Sequence, residues 1–294
     1  MIKQLGGFVL LKKTYIIAII ILLFITLAGC GNSRDDNTIR FGVIPADDAE
    51  EMLSIYKPVA DYLEEVLGAP VELIALYDYT AAIEAMRTGD LDIAWFGPFA
   101  YLLAVERAGA EAIAIGVRGD TGLSTYRTIF VTHSSSSIYE LSDLKGKTFA
   151  FVDPASTSGH LIPRSILLNY NIDPESDFST MLYAGTHNSV LLAINGQNID
   201  AGATSDNVLK RMVDEGLINE DNIRIIYESV PIPGSPIAVS GSLDEELKTK
   251  IQNAFVNMPD EIAAGWGGIA YYETIDDSHY DILREVARNL NMLD

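Results

Sequence analysis

The chain has 294 residues, with 20 basic and 41 acidic side chains, four histidines and a single cysteine. A net charge of −21 argues against nucleic acid as a partner, because such partners call for a basic footprint. The lone cysteine excludes an intramolecular disulfide. The same charge repels small anions at long range, so an anionic ligand needs a local site built from oriented dipoles.

Residues 1–30 read as a secretory segment. Lys3, Lys12 and Lys13 precede an apolar run from Tyr15 to Leu27, closed by Leu27-Ala28-Gly29-Cys30. A basic stretch, an apolar stretch and small residues before a cut site are the marks of a signal peptide. The apolar run is short for a membrane span. Leu-Ala-Gly-Cys resembles a bacterial lipobox, so Cys30 is expected to become the lipidated first residue of the mature protein. That places the folded part outside the cytoplasmic membrane, held there by its lipid. Residues 31–37 are polar and read as a tether. Without the three leader lysines the balance is 17 basic against 41 acidic, a net charge of −24.

From residue 38 onward strands and helices alternate. Strands are predicted at Ile39–Ile44, Val71–Leu76, Leu91–Phe96 and Ala112–Val117, and helices at Tyr56–Leu67, Thr80–Arg87 and Phe99–Arg107. After a loop at Thr121–Ser124 come strands at Tyr126–Thr132 and Thr148–Val152. A helix from Leu161 to Tyr170 comes next. Strands at Ser179–Tyr183, Ile199–Thr204 and Ile223–Tyr227 then alternate with helices at His187–Ile194 and Asp206–Val213. Pro231, Pro233, Gly234 and Pro236 punctuate the chain before a strand at Ile237–Val239 and two closing helices, Asp244–Asn257 and Asp277–Leu290. The run Trp266–Tyr272, rich in glycine and aromatics, is expected to pack onto the first half. The alternation predicts an α/β architecture with a largely parallel sheet.

Between the strand at Thr148–Val152 and its helix lies Asp153-Pro154-Ala155-Ser156-Thr157-Ser158-Gly159-His160. Three hydroxyl residues stand where the first helical amides lack partners. They serve either as an ordinary helix cap or as a cradle for a phosphate-like oxyanion. A helix–glycine–strand–helix unit occurs twice, around Gly89 with Asp92-Ile93-Ala94 and around Gly196 with Asp200-Ala201-Gly202. The repeat suggests two lobes of similar build, each aiming a strand-to-helix loop at a shared cleft.

Three stretches carry a resemblance: Arg87-Thr88-Gly89-Asp90-Leu91-Asp92-Ile93-Ala94-Trp95-Phe96-Gly97-Pro98 with Tyr101; Leu144-Lys145-Gly146-Lys147-Thr148 with the Ser-Thr-Ser-Gly motif; and Gly185-Thr186-His187 with Ile199-Asp200-Ala201-Gly202-Ala203. Together they resemble the phosphate, phosphite and phosphonate-binding proteins of ABC importers. The resemblance implies a type II periplasmic-binding-protein fold, with two α/β lobes joined by two crossover strands and the ligand between them. Lobe 1 is then residues 38–122 plus 237–294, and lobe 2 residues 123–236. It implies that Ser156, Thr157 and Ser158 cradle the oxyanion, that His187 contacts it, and that Tyr79 and Tyr126 reach it from loop and crossover. Asp206 corresponds to a carboxylate that reads an amine in aminoalkyl phosphonates, and Tyr101 and Trp95 line the cleft. His160 stands where the family pattern has an aromatic residue such as tyrosine.

The implied partners are a small phosphorus oxyanion and a membrane permease, with the protein a monomer and no metal or other cofactor. Two other readings stay in view. The same fold could present a ligand to a membrane sensor, or bind a sulfonate or another small metabolite without phosphorus. A serine hydrolase would draw Ser156 or Ser158 together with His187, but no Gly-x-Ser-x-Gly elbow exists and no His/Cys metal spacing occurs.

Overall fold

A computed structural model describes residues 37–44, 49–264 and 268–294. The leader, Cys30 and Trp266 lie outside the described residues. The strands among the described residues are β1 Ile39–Val43, β2 Val71–Ala75, β3 Ile93–Trp95, β4 Ala110–Arg118, β5 Thr125–Tyr126, β6 Thr128–His133, β7 Thr148–Phe151, β8 Thr180–Tyr183, β9 Ala201–Ser205, β10 Ile223–Glu228, β11 Ile232–Pro233, β12 Pro236–Ser240 and β13 Ile269–Thr274. The helices are α1 Ala49–Leu67, α2 Tyr79–Thr88, α3 Pro98–Ala108, α4 Ile162–Asn169, α5 Pro174–Asp177, α6 His187–Asn195, α7 Asp206–Asp214, α8 Glu245–Val256, α9 Asp260–Ala263 and α10 Asp281–Asn289.

The strands form two main sheets, one per lobe. Lobe 1 has the order β13-β4-β12-β3-β1-β2 and lobe 2 the order β10-β6-β9-β7-β8. Between them the chain crosses twice, and the crossing segments β5 and β11 pair antiparallel, Tyr126 with Ile232 and Thr125 with Pro233. This is the two-lobed architecture expected from the sequence.

The sheets are mixed rather than largely parallel. Pairs β1–β2, β1–β3, β7–β8 and β7–β9 are parallel, built by strand–helix–strand units. Pairs β3–β12, β4–β12, β6–β9 and β6–β10 are antiparallel. The crossings are the cause: β6 and β12 enter each sheet from the opposite lobe, so they run against strands that started within it. The glycine-rich run ends in the edge strand β13, antiparallel to β4, and Tyr272 packs edge-on against Phe255 with ring centroids 5.3 Å apart.

Helix α1 starts ahead of the predicted Tyr56 and carries Pro58 in its interior, on an exposed turn where a carbonyl without its helical partner faces solvent. Helix α2 ends at Gly89, whose φ of 79° accommodates a left-handed cap. A buried apolar cluster continues across the lobes, joining Phe96, Phe99 and Leu103 of lobe 1 with Ala155, Leu161 and Ile162 of lobe 2. The lobes therefore share packed core as well as the crossings.

Gly234 fixes how closely the crossings approach. Its N–H donates to Ser124 O at 2.9 Å, and a Cβ built on it would lie 2.9 Å from that same oxygen. Gly234→Ala should push the crossing segments apart and destabilise the protein by about 1–3 kcal/mol. Urea unfolding of the variant with a midpoint equal to the parent's would refute this.

Candidate functional site

At the C-terminal end of β7 the chain turns on Asp153, whose carboxylate accepts from Ala155 N at 2.7 Å. Ser156 Oγ then accepts from Gly159 N at 3.1 Å, so this hydroxyl is a helix cap, the plainer of its two expected roles. A single π-helical turn, Thr157–Leu161, leads from Ser156 into α4; such turns are frequent at functional sites. Gly159 has no room for a side chain, since a Cβ would stand 2.3 Å from Val152 Cγ2. Ser156, Thr157 and Ser158 are all buried.

Thr157 reaches into the other lobe. Helix α3 starts at Gly97, which has no side chain to cap it, and Thr157 Oγ1 accepts from Phe99 N at 2.8 Å. One lobe thus caps a helix of the other. Tyr126, on the crossing β5, hydrogen-bonds through its hydroxyl to Ser158 and Thr157. Desolvation pushes the Tyr126 hydroxyl up to about 12, and the two serine and threonine hydrogen bonds only partly offset this, so it stays a neutral donor. Thr128 Oγ1 donates to Ser158 O at 3.2 Å and holds the motif against lobe 2.

His187, the first residue of α6, is buried, and its Nδ1 lies 2.9 Å from Thr204 Oγ1 on β9. Burial, and secondarily the Arg211 guanidinium, lowers its pKa to about 4. It is therefore neutral near pH 7, and one ring nitrogen remains to face a ligand. Tyr79, the first residue of α2, is buried beside Gly97: a Cβ on that glycine would lie 3.4 Å from Tyr79 Cε1 and 3.9 Å from Thr157 Oγ1.

These groups line one cavity of about 620 Å³ between the lobes. Five helix starts open onto it: α2 at Tyr79, α3 at Gly97, the π-turn at Ser156–Ser158, α6 at His187 and α7 at Ser205 and Asn207. Ser205, at the N-cap of α7, makes no side-chain capping bond. Trp95 lines the cavity as well. Its basic residues are already paired: Arg118 with Asp120 at 2.9 Å, Lys210 with Asp214 at 2.6 Å, and Arg211 with Glu215 at 2.9 Å. Among the described residues no group of His, Cys, Asp and Glu could hold a metal ion. The arrangement supplies neutral donors and helix dipoles, which suit a small oxyanion.

Two expected site residues lie elsewhere. Tyr101 is fully buried in lobe 1 and does not line the cavity. Its hydroxyl donates to Asp277 Oδ1 at 2.9 Å and accepts from Ala112 N at 3.2 Å, because the ring points from α3 toward β4 and the C-terminal segment. Asp206 is also outside the lining. Its Oδ1 accepts from Arg127 N at 2.9 Å, and Arg118 Nη1 stands 3.4 Å from Oδ2, so the carboxylate ties the crossing and lobe 1 to α7 rather than facing a ligand amine.

His160 braces the motif from behind. Its Nδ1 lies 2.8 Å from Pro154 O and its Nε2 3.0 Å from the Tyr183 hydroxyl, with Phe151 edge-on at 5.1 Å. Sequence reasoning missed Arg118 and Asn207. Arg118 is one arginine among many in the sequence, and only the crossing brings it to the cleft.

A family model described as "ABC transporter, phosphonate, periplasmic substrate-binding protein" matches residues 41–280. The phosphate-import protein PhnD of Mycolicibacterium smegmatis is 32% identical over 227 residues, covering 74% of this chain and 71% of that protein. The phosphonates-binding periplasmic protein of Escherichia coli is 30% identical over 244 residues, covering 79% and 72%. A binding component of an ABC phosphonate transporter from Pseudomonas aeruginosa superposes with a TM-score of 0.80 at 27% identity, covering 86% of each chain. The fold also matches PhnD1 of Prochlorococcus marinus in complex with methylphosphonate, with a TM-score of 0.79 at 21% identity, covering 87% of this chain and 99% of that one.

The depressed pKa of His187 has a stability consequence. The unfolded histidine titrates near its ordinary value of 6.5 and the folded one near 4, so between these the unfolded state binds more protons. Stability should be complete above about pH 6.5 and fall by roughly 3 kcal/mol as pH drops to about 4. His187→Gln should flatten the dependence in that window, and urea midpoints measured from pH 4 to 7 would expose an unchanged slope.

Proposed function

We propose, from the premise that the chain belongs to the phosphonate family of ABC-transporter periplasmic substrate-binding proteins, that it captures a small phosphorus oxyanion by lobe closure and delivers it to a membrane permease. Its place of work is outside the cytoplasmic membrane, as for the family. The observation that carries the ligand class is the convergence of five helix starts and the Ser156–Ser158 hydroxyls on one cavity whose cations are all paired. In an acidic chain, such donors favour an anion without a compensating free cation.

In this reading the π-turn amides and the Ser158 hydroxyl hold the anion. With Thr204 donating to Nδ1, His187 presents Nε2–H to an oxygen. Tyr79 and Tyr126 add hydroxyl donors from lobe 1 and the crossing, and Trp95 forms part of the wall. Thr157 couples binding to closure, since its hydroxyl joins the motif to α3 only when the lobes meet. Cys30 carries the lipid that holds the protein at the membrane, supported by the Leu-Ala-Gly-Cys sequence and the basic and apolar stretches before it. The protein acts as a monomer and carries out no chemistry on its ligand: the Ser156 hydroxyl is committed to capping, and Ser158 stands against the neutral Tyr126 hydroxyl rather than a general base.

A thermal-shift series with phosphite, phosphate, methylphosphonate and sulfate tests the reading. At a hundred times its dissociation constant, a bound ligand adds about 2.7 kcal/mol of stability. At least one phosphorus oxyanion should raise the melting temperature, and silence from all three would defeat the proposal. Thr157→Val should weaken that ligand about tenfold and shift the solution ensemble toward open lobes. Scattering profiles indistinguishable from the parent's, with unchanged affinity by calorimetry, would remove Thr157 from closure.

A further inference from the structure

The oxyanion cradle is rich in donors: the π-turn amides, the Ser158 hydroxyl and the hydroxyls of Tyr79 and Tyr126. None of these residues is a carboxylate, the strong acceptor that a protonated ligand oxygen would call for. Phosphoryl groups ionise a second time near neutral pH, so a phosphorus oxyanion reaches the cradle both with and without such a proton.

His187 differs from the other cradle groups. A neutral imidazole has one donor and one acceptor nitrogen, and the bond made by one fixes the role of the other. Nδ1 lies 2.9 Å from Thr204 Oγ1, the ring's one hydrogen bond among the described residues, and Nε2 is left to the cavity that His187 lines. Thr204 is fully buried, with its backbone held opposite Ile129 in the β6–β9 ladder. Its hydroxyl has no other hydrogen bond among the described residues, so its hydrogen can turn toward Nδ1 or away from it. A carbonyl or carboxylate in this place could only accept, and would fix the ring hydrogen on Nδ1.

The ring stays neutral in either role. It stands at the start of α6, where the helix dipole opposes positive charge, and burial pushes in the same direction. Of the elements packed against α6, β9 carries no charged residue. Strand β6 ends in His133, whose ring is bound to Ser135 Oγ, and α7 brings Arg211, itself paired with Glu215. The charge that bears on the His187 ring is therefore positive.

Resting on the phosphorus-oxyanion reading, we propose that His187 and Thr204 form a tautomer switch that lets the cradle hold both the singly and the doubly ionised forms of its ligand. Facing the dianion, Thr204 donates to Nδ1, and Nε2–H donates to a ligand oxygen. Facing the monoanion, Nδ1–H donates to Thr204 Oγ1, and the Nε2 lone pair accepts the ligand's P–O–H. The ring carries one hydrogen in both states. Thr204 is a positioning residue, acting on the ligand through His187.

Calorimetric titration of the purified protein with methylphosphonate and phosphite, from about pH 5.5 to 9, spans the second ionisation of the ligand. Affinity for total ligand should vary by no more than about threefold in the parent. In Thr204→Val the Nδ1 atom loses its partner. An unpaired buried N–H is less tolerable than an unpaired lone pair, so the hydrogen settles on Nε2 and the dianion alone is held well. Affinity of that variant should fall about tenfold for each pH unit below the ligand's second ionisation, and Thr204→Ser should keep the flat profile. Nitrogen NMR of the labelled imidazole in the parent complex, with His187 identified by its loss in His187→Gln, serves if the valine variant fails to fold. The hydrogen should sit on Nδ1 at the acid end of the range and on Nε2 at the alkaline end. A valine variant with the parent's profile, a steep profile in the parent, or one tautomer at both ends overturns the switch while ligand binding keeps the cradle reading intact. If neither compound binds at any pH, the cradle reading falls and the switch falls with it.

Discussion

An acidic chain that must hold an anion cannot rely on its net field, and this constraint shapes the whole molecule. The attractive potential has to be local, short-ranged and desolvated. Helix starts meet that need, because their first amides lack partners and the aligned peptide dipoles leave them partly positive. Ending parallel strands at one cleft is what brings five such starts together: β7 leads to the π-turn, β8 to α6, β9 to α7, β2 to α2 and β3 to α3. The paired cations of the lining add polarity without a free charge, so in the proposed reading a small anion is recognised by geometry.

The same atoms that face the cavity also join the lobes. Thr157 belongs to the anion motif of lobe 2 and caps α3 of lobe 1. Arg118, at the end of β4, reaches Asp206 across the crossing. Tyr126 sits on one of the two crossing segments and bonds to the motif hydroxyls. A conformational change that opened the cleft would break these contacts together. If the lobes close on a ligand as proposed, these shared side chains would couple closure to recognition, in the manner of hinge motion about a few element ends.

Some of this was legible in the residues. The alternation of strands and helices, the glycine and proline punctuation at the crossings, and the hydroxyl cluster after β7 are local features, and each lies where its pattern placed it. His187 and Tyr79 also sit at helix starts, which sequence periodicity can locate. Tyr101 and Asp206 show the limit. Asp206 sits between Ser205 and Asn207, which line the cavity, but successive helical side chains point about 100° apart, and Tyr101 lies a full turn past Gly97, deeper along its helix. Tyr101 therefore falls into the core against Asp277, and Asp206 turns to Arg127 N, while Asn207 next to it faces the cleft. Strand β13 was hidden for a different reason: a six-residue edge strand directly after a glycine-rich run has little periodicity of its own.

The sequence by itself determined the α/β class, the two-lobed division and the position of the anion motif, because these arise from short-range patterns of apolar, capping and turn residues. Only the tertiary structure decided which donors converge, that Ser156 caps while Thr157 bridges the lobes, and that His160 braces the motif through Pro154 and Tyr183. Those outcomes depend on how separate elements meet in space, and whether a polar group is paired or orphaned is a property of its surroundings rather than of its own residue type.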